Sequence, residues 1–337
     1  MGIEESSARG TSLMTNTFSF YQSLFFCLLI LLPSRWGLAA EAVSFYMDND
    51  SKRLKPNHNT DRHYTAGTKL VFVTQPDWLW LQDFAHWHFG QDGRPVDIVA
   101  GFFIGQNIYT PDHADEPAKR RPEDMLFAGW LYSGMFIQRA AEDTLDHIEV
   151  NVGVIGPSSG AEQAQRCIHR YFHSGEPVGW EKQITDEFAS DFTYIRQQRL
   201  AACLPAYSAT MDFIADYGFT VGSVHRFVQA GLTCRYGFNM GKTFAPGRLD
   251  QPDGISLLRR AVEKSGYIYL RGAAKAVEYN RFLTGLEPEP LVGQLQAGIV
   301  LRYKKLDIGY SQTFFTQEFE EQSGKDSVGS LTLSWQF

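Results

Sequence analysis

The sequence predicts an all-β fold, a transmembrane antiparallel β-barrel of about twelve strands. Three observations predict it. Apolar and polar residues alternate with a period of two over stretches of roughly ten residues or more, the length a tilted membrane strand needs. The alternation runs to the end of the chain and closes on an aromatic residue, Phe337. Near the N-terminus an apolar run has the build of a secretory signal.

Taken in order, residues 18–33 (FSFYQSLFFCLLILLP) form that run after a polar segment containing Arg9, and SRWGLAA then offers small residues for cleavage. Residues 1–40 are therefore assigned to a signal peptide and 41–337 to one barrel domain. A start at Met14 would remove Glu4 and Glu5, which are atypical of a signal. A membrane anchor is the other reading, but the run falls short of the ~20 residues of a span.

Strands are expected at 41–48, 64–75, 96–109, 127–139, 144–155, 191–203, 205–216, 226–241, 266–280, 291–304, 306–319 and 327–337. An even number suits a single-chain barrel. In the fifth, Ile148, Val150, Val152 and Val154 alternate with Glu149, Asn151 and Gly153. In the tenth, Leu295, Ala297, Ile299, Leu301 and Tyr303 share one face, and in the last Gly329, Leu331, Leu333, Trp335 and Phe337 do. The long connections 76–95, 110–126, 156–190 and 242–265 are expected to be extracellular loops, and the short ones periplasmic turns. Inside 156–190, GAEQAQRCIHRYFHSGEPVGW reads as a helix, with Ala161, Ala164, Ile168, Tyr171 and Phe172 at helical spacing as its apolar stripe and Cys167 packing within it.

Composition narrows the function. Aromatic residues make up 14% of the chain and the net charge is −7, which argues against a nucleic-acid binder. Beyond the signal, Cys167, Cys203 and Cys234 form neither a disulfide framework nor a zinc site. No G-x-S-x-G, Walker A loop or H-E-x-x-H is present.

Four polar clusters remain at strand ends and in loops. Asp48-Asn49-Asp50 offers carboxylate and amide oxygens that suit a hard cation such as Ca²⁺, or else a solvated turn. In TDRHYTAGTKL, Thr65, Gly67 and Lys69 are expected to point inwards and Tyr64, Ala66, Leu70 and Phe72 to lipid, with Asp61, Arg62 and His63 as a rim ion-pair cluster. Lys119, Arg120 and Arg121 are consecutive cations that either grip phosphate or form a solvated loop. On the helix, Glu162, Gln165, Arg166, His169 and His173 form a polar stripe. His169 is either structural or a general base, since an imidazole near its reference pKa takes a proton from water at neutral pH, and Glu176 lies seven residues on.

Together these segments resemble one family, the outer-membrane lipid A 3'-O-deacylases. The matching stretches are DND at 48–50, TDRHYTAG at 60–67, GQNIYTP at 105–111, KRRPED at 119–124, AGWLY at 128–132, GVIGPSSGAEQAQRCIH at 153–169 and GW at 179–180. The resemblance runs from about residue 41 to 337 and is densest before 190. It implies a monomeric twelve-stranded barrel in the bacterial outer membrane, acting as a carboxylic ester hydrolase on a 3'-linked acyl (acyloxyacyl) ester of lipopolysaccharide lipid A. The family's functional positions carry over to Asn49, Asp50, Thr65, Lys119, Arg120, His169 and Glu176. By that likeness His169 activates water, Asp50 with Asn49, Thr65 or Glu176 holds Ca²⁺, and Lys119 and Arg120 face the anionic headgroup.

One departure stands out. Where many members carry Asp-Arg-Pro-Tyr-Ala-Gly-Trp, this chain has DMLFAGW, residues 124–130, so that Met125 removes a cation and Phe127 a hydroxyl. That change bears on the anchoring of the loop. Two rival functions fit the same segments: a non-enzymatic porin or adhesin, and a phospholipase using Ser158 or Ser159 with His169.

Overall fold

Twelve antiparallel strands close on themselves, each hydrogen-bonded to its sequence neighbours and the first to the last. The computed structural model describes residues 40–50, 61–76, 96–172, 175–206, 209–258 and 263–337, and residues from Glu41 onward form one unit. The expected signal peptide, and His173 of the polar stripe, lie outside the described residues. The strands are β1 (Ala42–Asn49), β2 (His63–Thr74), β3 (Asp97–Thr110), β4 (Ala128–Ala140), β5 (Thr144–Ile155), β6 (Glu187–Ala206), β7 (Ala209–Gly222), β8 (His225–Phe238), β9 (Lys264–Asn280), β10 (Leu291–Tyr303), β11 (Leu306–Phe315) and β12 (Ser327–Gln336). Two α-helices are described, α1 (Ala161–Phe172) and α2 (Ile255–Leu258). No described helix is long and apolar enough to cross a membrane.

Closure runs from Ala42 opposite Gln336 to Asn49 opposite Gly329, which removes both sheet edges. Side-chain direction follows the alternation. Leu333 and Trp335 of β12 and Leu295, Ile299 and Leu301 of β10 are exposed on the outer wall, where lipid covers them. Ser334, Gln296 and Arg302, of the opposite parity, are buried in the lumen, and Ser44 Oγ donates to Ser334 Oγ across the closing seam at 2.7 Å.

The long connections do not all emerge at one end. Strand direction puts 111–127 and 156–186 at the rim reached by the C-terminal ends of β1, β3 and β5. The segment between β8 and β9 leaves from the opposite end, where β1 begins and β12 finishes, and folds back into the barrel. Its Phe244, Ile255 and Leu257 are buried in the main core with Val71, Val99 and Phe136 of the wall. Each such side chain taken from water contributes roughly 1.5–3 kcal/mol.

Polar wall residues satisfy the backbone of this lumenal segment. Gln138 accepts from Ile255 N and donates to Pro252 O, both at 2.9 Å. Arg235, fully buried, pairs with Asp212 through Nε at 2.9 Å and donates to the carbonyls of Thr243 and Phe244. Lys69 Nζ is shared between Glu149 Oε1 at 3.1 Å and Leu249 O at 3.3 Å, and lies 3.7 Å from the centre of the Phe103 ring. This corrects the expectation of an outer loop at 242–265: the segment has neither a helical nor a strand period, and its burial comes from the surrounding wall. The segment therefore occupies part of the lumen, and a cavity lined by Asp48, Tyr64, Asn107 and Tyr109 remains beside it.

Candidate active site

Asn49, Asp50 and Thr65 come together at the adjoining ends of β1 and β2, and a bulge decides which way they face. Tyr64 pairs with Tyr109 and Ala66 with Ile108, so Thr65 is an extra residue in β2 and reverses the parity of what precedes it. Tyr64 therefore points into the lumen with Gly67 and Lys69, and its hydroxyl donates to Asp48 Oδ2 at 3.2 Å. This corrects the lipid-facing placement of Tyr64. Thr65 does not point into the lumen with Gly67 and Lys69; its hydroxyl meets Thr110 Oγ1 at 2.7 Å. On β3, Asn107 and Tyr109 line the lumenal cavity, so Gln106, Ile108 and Thr110 belong to the outward face. In the DND triplet, Asp48 lines the cavity and Asn49 falls on the outward parity with the exposed Phe45 and Met47. Asp50 follows β1, donates its amide to Thr65 O at 3.0 Å and accepts Arg62 N on Oδ2 at 2.6 Å.

Helix α1 lies against that same outward face. The chain turns out of β5 through two left-handed glycines, Gly156 and Gly160. A Cβ on Gly129 of β4 would stand 2.1 Å from Ser159 Oγ and 2.2 Å from Ala161 Cβ, so glycine is what lets the helix start reach the wall. Gln106 Nε2 donates to Ser159 O at 2.7 Å, and Ala161 packs with Ile108, Phe127 and Trp180.

The packed face takes in only part of the apolar stripe: Ala161 and Ala164 pack, while Ile168 and Tyr171 do not, and Cys167 does not pack within the helix as expected. Ile168 is 48% exposed and Tyr171 78% exposed, and Cys167 is exposed as well. The buried positions are Ala161, Gln165 and His169, at a spacing of four. The buried polar positions find their partners in Asp61, before β2, and in the segment that follows α1, and Ile168 and Tyr171 are left exposed. Gln165 accepts from Trp180 Nε1 at 2.9 Å and donates to Asp61 Oδ2 at 2.8 Å.

His169 is held at both ring nitrogens. Nε2 lies 2.7 Å from Asp61 Oδ2 and Nδ1 2.5 Å from Gly175 O. Two acceptors can be satisfied together only by the doubly protonated ring. The Asp61 hydrogen bond accordingly raises the His169 pKa above the ordinary histidine value, against the opposing effect of burial. Asp61 and Arg62 thus bridge the two halves of the site, one through its side chain to His169 and the next through its amide to Asp50.

Only part of the expected rim ion-pair cluster forms as read. Arg62 pairs with Asp326 at 3.0 Å and Asp112 at 3.4 Å, while Asp61 turns to the helix instead. His63, buried with a left-handed backbone (φ 56°), spans Asp326 at 2.5 Å and Asp124 at 3.2 Å and meets the Phe319 ring edge-on. Burial alone would raise the Asp124 pKa; hydrogen bonds from His63 and from the Met125 and Asp112 amides hold it below the ordinary value. This network ties loop 111–127 and loop 316–326 to the start of β2. Loop 111–127 is anchored despite the departure at Met125 and Phe127: both are buried, and Phe127 packs on Trp180 with ring centres 4.9 Å apart.

The remaining sequence candidates occupy the loops around the helix. Glu176 is exposed and accepts from Arg166 Nη1 at 2.6 Å, while Arg166 Nε donates to Glu162 at 2.9 Å. Lys119 is exposed and pairs with Glu116 at 2.5 Å. Arg120 donates to the carbonyls of His113, Ala114 and Val178 and covers the Phe127 ring, so it fastens loop 111–127 to the segment after α1. Ser158 Oγ donates to Asp186 Oδ2 at 2.7 Å and Ser159 Oγ to Gly156 O at 2.6 Å. Neither hydroxyl is directed to His169, which removes the geometric basis for a Ser–His nucleophile.

Among the described residues, no three of His, Cys, Asp and Glu converge to hold a metal. The donors at the β1–β2 ends are all oxygens, from one carboxylate (Asp50), one amide (Asn49) and one hydroxyl (Thr65). In type these fit a hard cation such as Ca²⁺, completed by water or substrate. The sequence did not mark Asp61 as the shared partner of Gln165 and His169, because a linear motif does not join residues so far apart in the chain.

The family described as outer membrane protein LpxR matches residues 24–337. The chain belongs to the LpxR family. Among solved structures, LpxR from Salmonella typhimurium is similar, with 20% identity, a TM-score of 0.67, and coverage of 88% of this chain and 100% of that one. The β domain of the Bordetella autotransporter BrkA gives 8% identity and a TM-score of 0.46, over 89% of this chain and 100% of that one. No curated protein sequence matches significantly. As a member of the LpxR family with a closed twelve-stranded barrel, the protein resides in the outer membrane.

Proposed function

We propose that this LpxR-family barrel is an outer-membrane lipid A deacylase, which hydrolyses a 3'-linked acyl ester with water activated by His169. The observation that carries the reading is the position of the helix. His169 faces the wall, while the adjacent Ile168 and Tyr171 are exposed on the lipid side, so an ester carried by an outer-leaflet lipid can approach the base laterally.

His169 removes a proton from the attacking water and returns it to the leaving oxygen, help worth roughly 10²–10⁴ in rate. Asp50, with Asn49 and Thr65, would hold Ca²⁺, which when bound supplies positive charge to the ester carbonyl oxygen. Glu176 would join that set after giving up Arg166, or else would orient the segment following the helix. Lys119, exposed on loop 111–127, would meet the phosphorylated sugar as a point charge, with Arg120 shaping the loop that presents it.

The test is fatty-acid release from lipid A by the purified barrel in detergent, with Ca²⁺ or with chelator. Release should require Ca²⁺, survive Ser158→Ala and Ser159→Ala, and fall at least about 10²-fold in His169→Ala. Release that survives His169→Ala and is lost with either serine would support the phospholipase mechanism instead.

A further inference from the structure

We infer that Asp61 is the positioning residue for His169: it holds the ring protonated and aligned at rest, and gives up Nε2 to the attacking water when substrate is bound. The inference rests on the proposed role of His169 as the base. Its own ground is geometric. Asp61 Oδ2 accepts from Gln165 Nε2 at 2.8 Å and from His169 Nε2 at 2.7 Å, on neighbouring turns of one helix, and the Asp61 side chain is only 12% exposed. Gln165 is in turn fixed by Trp180 Nε1 at 2.9 Å, so the carboxylate is aligned whether or not the ring donates to it.

The proton accounting follows from the two ring contacts. With Nδ1–H on Gly175 O and Nε2–H on Asp61, the ring is an imidazolium and cannot act as a base. Loss of the Nε2 proton to bulk solvent leaves a lone pair facing a carboxylate, which is repulsive, so the neutral ring must turn Nε2 from Asp61 to water. Asp61 then stays with Gln165, and Nδ1–H keeps the tautomer by donating to Gly175 O. Water loses one proton to Nε2 as its oxygen bonds to the acyl carbon. When the carbon–oxygen bond to the sugar or hydroxyacyl group breaks, that proton passes from Nε2 to the leaving oxygen. Asp61 neither gains nor loses a proton in the cycle.

The charged groups around His169 are Asp61 from the segment before β2, Asp115 from loop 111–127, and Arg166 on its own helix, the last paired with Glu162 and Glu176. Asp61 makes the direct contact and Asp115 acts at longer range.

The experiment compares the full-length barrel with Asp61→Asn and Asp61→Ala by two readouts. One is the pH titration of the His169 ring ¹⁵N signals in micelles, assigned by their loss in His169→Gln. The other is the pH profile of kcat/KM for lipid A deacylation. Removing the negative charge should lower the His169 pKa and move the acid limb of the profile to lower pH by the same amount. It should also reduce kcat more than it changes KM, with Asp61→Ala the slower variant. A titration and an acid limb that stay where they are in folded Asp61→Asn overturn the inference. If His169→Ala keeps full deacylation, the base assignment fails instead, and the titration still decides the Asp61 contact on its own.

Discussion

The two faces of one wall do opposite work. Lumenal residues of β2, β4, β7 and β8 are fixed by ion pairs and hydrogen bonds to the inward segment 242–258. Arg235 with Asp212 and Lys69 with Glu149 are buried pairs whose remaining donors reach its backbone. The rim around α1 and the ends of β1–β3 includes more adjustable contacts: an exposed Glu176 and an exposed Lys119 in the flanking loops, and a histidine between two acceptors. A lumen cross-linked by buried ion pairs and hydrogen bonds rigidifies the scaffold, while the rim keeps groups that can exchange partners, as the proposed ester-hydrolysing site requires. Stability and the proposed chemistry therefore draw largely on opposite sides of the wall, and they meet at Asp50, which lines the lumenal cavity at the rim.

The largest expected effect is on the lumenal side. Arg235→Met should leave Asp212 and the Thr243 and Phe244 carbonyls short of a buried donor and destabilise the barrel by about 3 kcal/mol, near the low end for breaking a buried pair because Arg199 still reaches Asp212 at 3.0 Å. Urea unfolding in detergent measures it, and turnover per folded molecule should be unchanged. A loss of turnover without a loss of stability would erase the distinction between the faces.

On the outer side, Gly129→Val should push the start of α1 off β4 and lower kcat about 10²-fold, the cost of a misplacement of roughly 1 Å. The barrel should keep its folded mobility on gels, and a wild-type rate would show that the helix need not be docked. Acidification sharpens the same contrast. Because Asp61 raises the His169 pKa, the base form is lost below a pH higher than for an unperturbed histidine, so activity should fall first on the acid side while the barrel stays folded. The smallest effect belongs to Tyr171→Ser: as the side chain is 78% exposed, stability should change by less than about 0.5 kcal/mol.

The barrel was legible in the sequence because an apolar outer wall and a polar lumenal face impose a strict two-residue alternation, as in β10 and β12. What alternation cannot show is a change of parity, and the bulge at Thr65 turned Tyr64 inwards and moved Thr65 to the Thr110 side. The helix was legible as a helix, but its orientation was not. In water an apolar stripe packs inwards; here Ile168 and Tyr171 face the lipid side and Gln165 and His169 meet the wall. Segment 242–258 has neither period, so nothing local marked it as lumenal. The resemblance placed Asn49, Asp50, Thr65 and His169 near one rim, between the wall and the helix-bearing loop, and the contact through Asp61 and Arg62 needed three dimensions.

The central claim is that the outward rim, with His169 as base, cleaves an ester of lipid A. Mass spectrometry of lipid A from bacteria expressing the wild type or His169→Ala, each with and without chelator, tests it most directly. The account predicts lipid A lighter by the mass of the 3'-linked acyl group only with the wild type and without chelator. Equal loss from cells making folded His169→Ala, or intact lipid A with the wild type in every condition, would contradict it.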